Sequence, residues 1–483
     1  MTSLAQKTLT GVIWNLLQQF ASRGITVLVT LMLAYFLAPE DFGLVAMMAV
    51  FLAIGNSLMD SGFRQALIRM KEAKPIDFNT GFFANLLLGL LAYVLLFASA
   101  PLIAEFYAQP QLVELIRITA MTVIINAFQV GHVAKLSREM NFKAQFKAVL
   151  PASALSAVVA MTMAYFGFGV WALVGQMLAS AFFITLFLSL QCHWKPGREV
   201  SLESLSSMYN FGYKLFLAGL LDIVFRNLYV IVIAKLFTAS HAGLYYFADR
   251  IREIVIYQLV TSIQQVTFPA LASFQDDNDR LKDGYRNVIL VTTFVLFPVI
   301  ILMAVMAEPL FHLLLHEKWW PAATYLELMC MASLLIPLHA INLNILQVKG
   351  RSDLSLLVEL TKKLLQTIIL VFSINFGIIG ILYGQIISSS ISFLINGYFS
   401  KRLIGYSILN QVKDFMPNMI LSLVIGLFII FLQKIFAWNE LVTVLALVPF
   451  GAALYIWASI ILKLKGMVLF RKLIKNQNTQ KAA

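Results

Sequence analysis

The chain has 483 residues, of which 60% are apolar and only 12% charged, and its mean hydropathy is +0.83. A soluble globular protein of this length has no use for so much apolar surface, so the composition excludes that class and indicates a protein of the bilayer. The formal charge of +12 comes from basic residues scattered among separate segments. They form no single stripe, which excludes a nucleic-acid interface.

Runs of about 20 apolar residues predict fourteen membrane spans, at 9–37, 41–65, 79–104, 112–134, 148–166, 168–191, 207–237, 241–270, 288–314, 322–348, 354–375, 378–400, 415–433 and 441–463. Lys7 runs straight into a long apolar segment, which suits a retained first span better than a short removable leader. The predicted fold class is therefore an all-α polytopic membrane protein.

Taken in order, span 1 carries Asn15, Gln18, Gln19, Ser22 and Arg23 near its middle, and span 2 ends in Asp60 and Arg64. Span 7 places Asp222, Arg226 and Tyr229 at i, i+4 and i+7, on one helical face. Span 8 is the most unusual, since His241 to Gln265 is long enough to cross a bilayer yet contains Asp249, Arg250, Arg252 and Glu253. A charge at bilayer depth costs about 2.5 kcal/mol or more, so such groups face a bundle interior or a water-filled cavity. At 100° per residue, Tyr245, Tyr246, Asp249, Arg250, Arg252, Glu253, Tyr257 and Gln264 share an arc of about 160°. The opposite face is apolar, with Leu244, Phe247, Ile251, Ile254 and Val255.

Two readings of these charges stand side by side. Asp249, Arg252 and Glu253 can pair with one another or with Asp222 and Arg226 as ties between helices. Alternatively, the set lines a polar cavity, where guanidinium groups suit phosphate or pyrophosphate through two-point hydrogen bonding. Tyrosines and glutamines there suit sugar hydroxyls and rings.

Other chemistry is sparse. Cys192 and Cys330 have no metal-ligand spacing and read as apolar packing residues. His312 and His316 stand at i and i+4 without an acidic third ligand, at an expected interface, so no metal site is predicted. No Gly-rich phosphate loop is present, and the predicted outward connections are too short to house catalytic acids. The sequence predicts no catalytic residues, no cofactor and no enzyme.

Connections after even-numbered spans are basic, among them Arg69, Lys71 and Lys74; Lys135, Arg138, Lys143 and Lys147; Arg280, Lys282 and Arg286; Lys349, Arg351, Lys362 and Lys363; and Lys401, Arg402 and Lys413. Those after odd-numbered spans contain only Lys318 and Lys434. The positive-inside rule then places both termini in the cytoplasm.

The chain also echoes itself. Ala34 to Leu44 reads AYFLAPEDFGL and, 200 residues later, Ala234 to Leu244 reads AKLFTASHAGL. Asn126, Gln129 and Val130 are echoed by Asn344, Gln347 and Val348, and Leu173, Gly175 and Gln176 by Leu382, Gly384 and Gln385. The common order predicts two six-helix lobes, 1–195 and 196–405, related by a pseudo-two-fold axis near the membrane normal with a transport path between them. Residues 406–483 add spans 13 and 14 and a basic tail.

Val266-Thr-Phe-Pro-Ala-Leu-Ala-Ser-Phe-Gln-Asp-Asp277 resembles the segment after span 8 in Wzx-type flippases of the colanic acid and teichuronic acid exporter group. Glu317-Lys318-Trp319, Lys349-Gly350-Arg351-Ser-Asp353 and Asp41-Phe-Gly-Leu44 are similar to that group as well. The resemblance implies the multidrug/oligosaccharidyl-lipid/polysaccharide exporter fold, alternating access and residence in the bacterial inner membrane. The substrate it implies is an undecaprenyl-pyrophosphate-linked oligosaccharide, turned to the outer leaflet for O-antigen, exopolysaccharide or capsule synthesis. A polysaccharide polymerase is an implied partner. By similarity to the more distant lipid II flippase, Arg23, Arg64 and Arg250 or Arg252 would hold the pyrophosphate, and spans 13 and 14 would form a groove for the lipid tail. Asp249 or Glu253 could carry a coupling proton. A drug or cation exporter of the same fold is the main alternative, but it calls for a cavity dominated by acids, whereas bases match acids in spans 1, 2, 7 and 8.

Overall fold

The computed structural model describes residues 4–436 and 438–472, with some side chains in the first and eighth spans, Arg23 and Tyr257 among them, outside the described set. Among the described residues every regular element is helical. Packing divides the chain into two compact units, Met1–Tyr246 and Phe247–Ala483.

The first unit holds α1 (Leu4–Phe36), α2 (Pro39–Asp60), α3 (Phe63–Arg69), α4 (Pro75–Tyr107), α5 (Leu112–Thr119), α6 (Met121–Ala127), α7 (Val130–Arg138), α8 (Phe142–Tyr165), α9 (Val170–Gln191), α10 (Leu202–Arg226) and α11 (Leu228–Leu236). The unit boundary falls inside α12 (Ala239–Ala272). The second unit continues with α13 (Asn278–Val305), α14 (Ala307–Leu314), α15 (Pro321–Ser333), α16 (Ile336–Val348), α17 (Ser352–Ser373), α18 (Gly377–Ile404), α19 (Ile408–Phe436) and α20 (Glu440–Ile461).

Twelve helical stretches among the described residues are long and apolar enough to cross a membrane, one of them, Ser352–Ile404, containing both α17 and α18. The protein is a multi-span membrane protein. All fourteen predicted spans correspond to a helix or a short run of helices, spans 2, 4, 7, 9 and 10 being interrupted. The second half of span 10 begins anew at Ile336, with Pro337 in the first helical turn, where a missing N–H costs nothing.

The predicted ends need correction. Arg280, Lys282 and Arg286 lie on α13, Lys143 and Lys147 on α8, Lys362 and Lys363 on α17, and Lys401 and Arg402 on α18. Hydropathy marks the bilayer core, whereas a helix continues until its backbone is capped. Asp277 supplies such a cap, accepting from the N–H groups of Asp279 and Arg280 at 3.1 and 3.0 Å.

The sequence echoes have structural counterparts. In the first, Asp41 accepts the Ala38 N–H at 2.9 Å at the start of α2, and Thr238 Oγ1 accepts the His241 N–H at 3.3 Å at the start of α12. In the third, Gly175 of α9 lies against Met163 of α8, and Gly384 of α18 lies against Ser373 of α17, so each glycine admits the preceding span closely. The second echo diverges. Asn126 bridges Asn56 and Gln129 at 2.9 and 2.8 Å, while the buried Asn344 amide nitrogen has no partner among the described residues.

Candidate functional site

Four arginines in the spans pair with a carboxylate three or four residues away in the chain. On α12, Arg252 donates to Asp249 at 2.5 Å, and Arg250 lies 3.8 Å from Glu253. On α10, Arg226 donates to Asp222 at 2.7 Å, and across the α2–α3 corner Arg64 donates to Asp60 at 3.0 Å. Residues three or four apart on a helix share a face, so each cation finds its carboxylate within one turn. Pairing of this sort keeps either charge from standing alone in an apolar medium.

Of the two pairings expected for the α12 charges, with one another or with Asp222 and Arg226, the first is seen: Arg252 holds Asp249, and Asp222 and Arg226 hold each other. Arg252 also reaches another helix, donating to the Ser333 hydroxyl of α15 at 3.1 Å. Ser333 accepts from Arg252 while donating to the Met329 carbonyl at 2.7 Å. Nothing in the sequence singled it out, since a serine in an apolar span carries no pattern. Gln264, farther along α12, reaches the Ala340 carbonyl at 3.5 Å.

The tyrosines separate by burial. Tyr245 is buried and Tyr246 half-buried. The side chains of Arg23 and Tyr257 lie outside the described residues, so their expected roles carry no geometry.

Exposure distinguishes the pairs. Asp222 and Arg226 are more than half exposed, whereas Asp249 and Arg252 stand at 28% and 22%. A guanidinium held by one carboxylate keeps further donors in its planar fork, and these suit a second oxyanion. The rings of His312 and Trp320 lie 4.1 Å apart, tilted by 40°, and no cluster of three or more His, Cys, Asp or Glu fit for a metal ion occurs among the described residues.

Most of the sequence motifs behind the family resemblance do structural work. Trp319 is fully buried and packs on Phe247 at 4.5 Å, Lys349 donates to the Gln275 carbonyl at 2.5 Å, and Arg351 holds Asp353 at 2.9 and 2.7 Å. They build helix ends and corners.

The chain is a polytopic helical membrane protein with charge pairs inside its spans. The solved structure of the lipid II flippase MurJ in an inward closed conformation matches 96% of this chain and 100% of its own, with a TM-score of 0.74 at 15% identity. A family model described as "Polysaccharide biosynthesis protein" matches residues 32–324, and the chain belongs to that family. Among curated relatives, the lipopolysaccharide biosynthesis protein WzxC of Escherichia coli (strain K12) is 26% identical over 403 residues, 81% of each chain. The teichuronic acid biosynthesis protein TuaB of Bacillus subtilis (strain 168) is 24% identical over 377 residues, 77% of each.

Proposed function

We propose that this protein flips an undecaprenyl-pyrophosphate-linked oligosaccharide repeat unit from the cytoplasmic to the outer leaflet by alternating access, in surface polysaccharide synthesis. Membership in the polysaccharide biosynthesis family carries this reading, and the MurJ-like fold supports it. Both termini are cytoplasmic in it, as the basic connections after even-numbered spans favour. The lobes 1–195 and 196–405 rock against each other, while residues 406–483 stand outside the repeat.

Arg64, Arg226, Arg250 and Arg252, with Arg23 of the first span, are the anion-binding groups in this reading. Asp222, Asp249 and Glu253 hold their partners in place until the pyrophosphate arrives, and Tyr245, Tyr246 and Tyr257 contact sugars. A polysaccharide polymerase takes the delivered unit. The test replaces Arg23, Arg250 and Arg252 singly by Ala, with surface expression checked. Polymer export should fall in at least one, and full export in all three would refute the arginine assignment. A reconstituted assay offering organic cations against lipid-linked sugar separates this activity from drug export.

A further inference from the structure

In the second unit, α13, the first half of α19 and the turn after α20 enclose a groove of about 740 Å³. The α20 helix ends at Ile461, and Lys463 then adopts a left-handed backbone, φ 51°, which turns the chain back on itself. Residues 465–472 are helical, and Gly466 and Met467 pack them onto Leu290 and Phe294 of α13. This fold-back brings Lys463 and Lys465 to the same groove as Lys413 at the start of α19.

The groove holds more cations than its one carboxylate uses. Asp414 is 7% exposed and fully engaged: Arg286 donates to both its oxygens at 2.7 Å, Tyr406 donates at 2.5 Å, and Lys465 stands 3.9 Å away. Lys413 and Lys463 have no acidic partner among the described residues. Beside them Ile420, Val424 and Leu462, each more than half exposed, continue the groove as an apolar face. Two free ammonium groups above an apolar trough suit a ligand with an anionic head and hydrocarbon chains, and basic pockets between membrane helices recognise anionic lipid headgroups in this way.

We propose that this groove binds an anionic diacylglycerophospholipid of the surrounding bilayer, its phosphate between Lys413 and Lys463 and its acyl chains along Ile420, Val424 and Leu462. The bound lipid fastens the 465–472 segment against α13. The site shares no residue with the charge pairs of α10 and α12 and does not depend on the transport assignment.

The full-length protein, purified in detergent and stripped of lipid, is titrated with dioleoylphosphatidylglycerol or dioleoylphosphatidylcholine, and binding is read by native mass spectrometry and by the thermal unfolding midpoint. The glycerol lipid should bind saturably and raise the midpoint, with the choline lipid far weaker. Lys413→Gln and Lys463→Gly should each weaken binding of the glycerol lipid about fivefold, near the contribution of one basic residue at a lipid surface. Lys463→Gly keeps the left-handed turn, which glycine adopts without strain, so its lipid-free midpoint should not fall. Equal binding of both lipids overturns the proposal, as does undiminished binding in Lys463→Gly. Displacement of the bound lipid by an equimolar polyprenyl diphosphate would also overturn it, because the groove would then belong to the transported substrate.

Discussion

Gly43 and Gly243 occupy equivalent places in the repeated segments, and each lies against the other's helix start. A methyl group on Gly43 would run into the Ala239 carbonyl, and one on Gly243 into the Pro39 carbonyl. Positions 39 and 239 are themselves equivalent in the repeated segments, so the contact is reciprocal. Backbone meets backbone here, and no side chain could retract to make room.

Gly43→Val and Gly243→Val should therefore force the starts of α2 and α12 apart, overpacking that typically costs about 1–3 kcal/mol. The readout is labelling of a cysteine introduced at Ala242, which is fully buried, by a membrane-impermeant maleimide. Labelling should be slow in the parent and fast in either valine variant, with polymer export lost at normal expression. Unchanged labelling and export would show that a larger side chain does not force the two helix starts apart.

Asp249 and Arg252 are the least exposed of the pairs on α12. Arg252→Ala leaves Asp249 without its partner and should lower stability by about 1–2 kcal/mol, well short of the 3–5 of a fully buried pair because solvent reaches both groups. Ser333→Ala should cost less than 1 kcal/mol and leave export intact. Arg252→Lys separates the roles: if the guanidinium binds pyrophosphate at two points, export falls although the thermal midpoint holds. Equal loss of both would mark Arg252 as a structural tie alone.

On α10 the exposed Asp222 and Arg226 make a pair of the kind that contributes about 0.3–0.5 kcal/mol. Exchanging them, Asp222→Arg with Arg226→Asp, should leave the unfolding midpoint within a degree or two. A fall in export would then report a lost anion contact rather than a lost fold, and unchanged export would remove both residues from the site.

Asp414 is nearly inaccessible, and Arg286→Ala takes away its two-point donor while leaving Tyr406 and Lys465. The expected loss is about 2–3 kcal/mol, below the usual cost of orphaning a buried charge because those two partners remain. Asp414→Asn together with Arg286→Gln should recover part of it. Chemical denaturation in mild detergent measures both, and a single variant as stable as the parent contradicts the assignment.

Trp319→Ala empties a fully buried indole site against Phe247 and should cost about 3–5 kcal/mol. The expected phenotype is low abundance, seen by immunoblot, with specific export per molecule preserved. Normal abundance with abolished export would instead place Trp319 in the transport path.

The spans were legible because hydrocarbon solubility needs only length and composition, and Asn126 and Gly175 were found through spacing. Helix ends were less so: Arg280, Lys282 and Arg286 read as loop because charge ends a hydropathy window but does not end a helix. The α12 charges were conspicuous as a group, yet their partners were not, since Asp249 and Glu253 each had several cations within reach on paper. Ser333 and the Lys413–Lys463 groove depend on chain segments meeting in space, and Lys463 turns the chain with a residue that carries no turn signal.

The short-range pairing of charges also bears on how the chain enters the bilayer. Taken as they stand, α12's inner charges, Asp249, Arg250, Arg252 and Glu253, sum to zero within two turns. A nascent helix with that arrangement can leave the translocon as an electrically neutral rod, before it has packed against any neighbouring span. Asp222 and Arg226 give α10 the same property. Separating either partner by half a turn, without altering composition, would thus impair biogenesis before it touched transport.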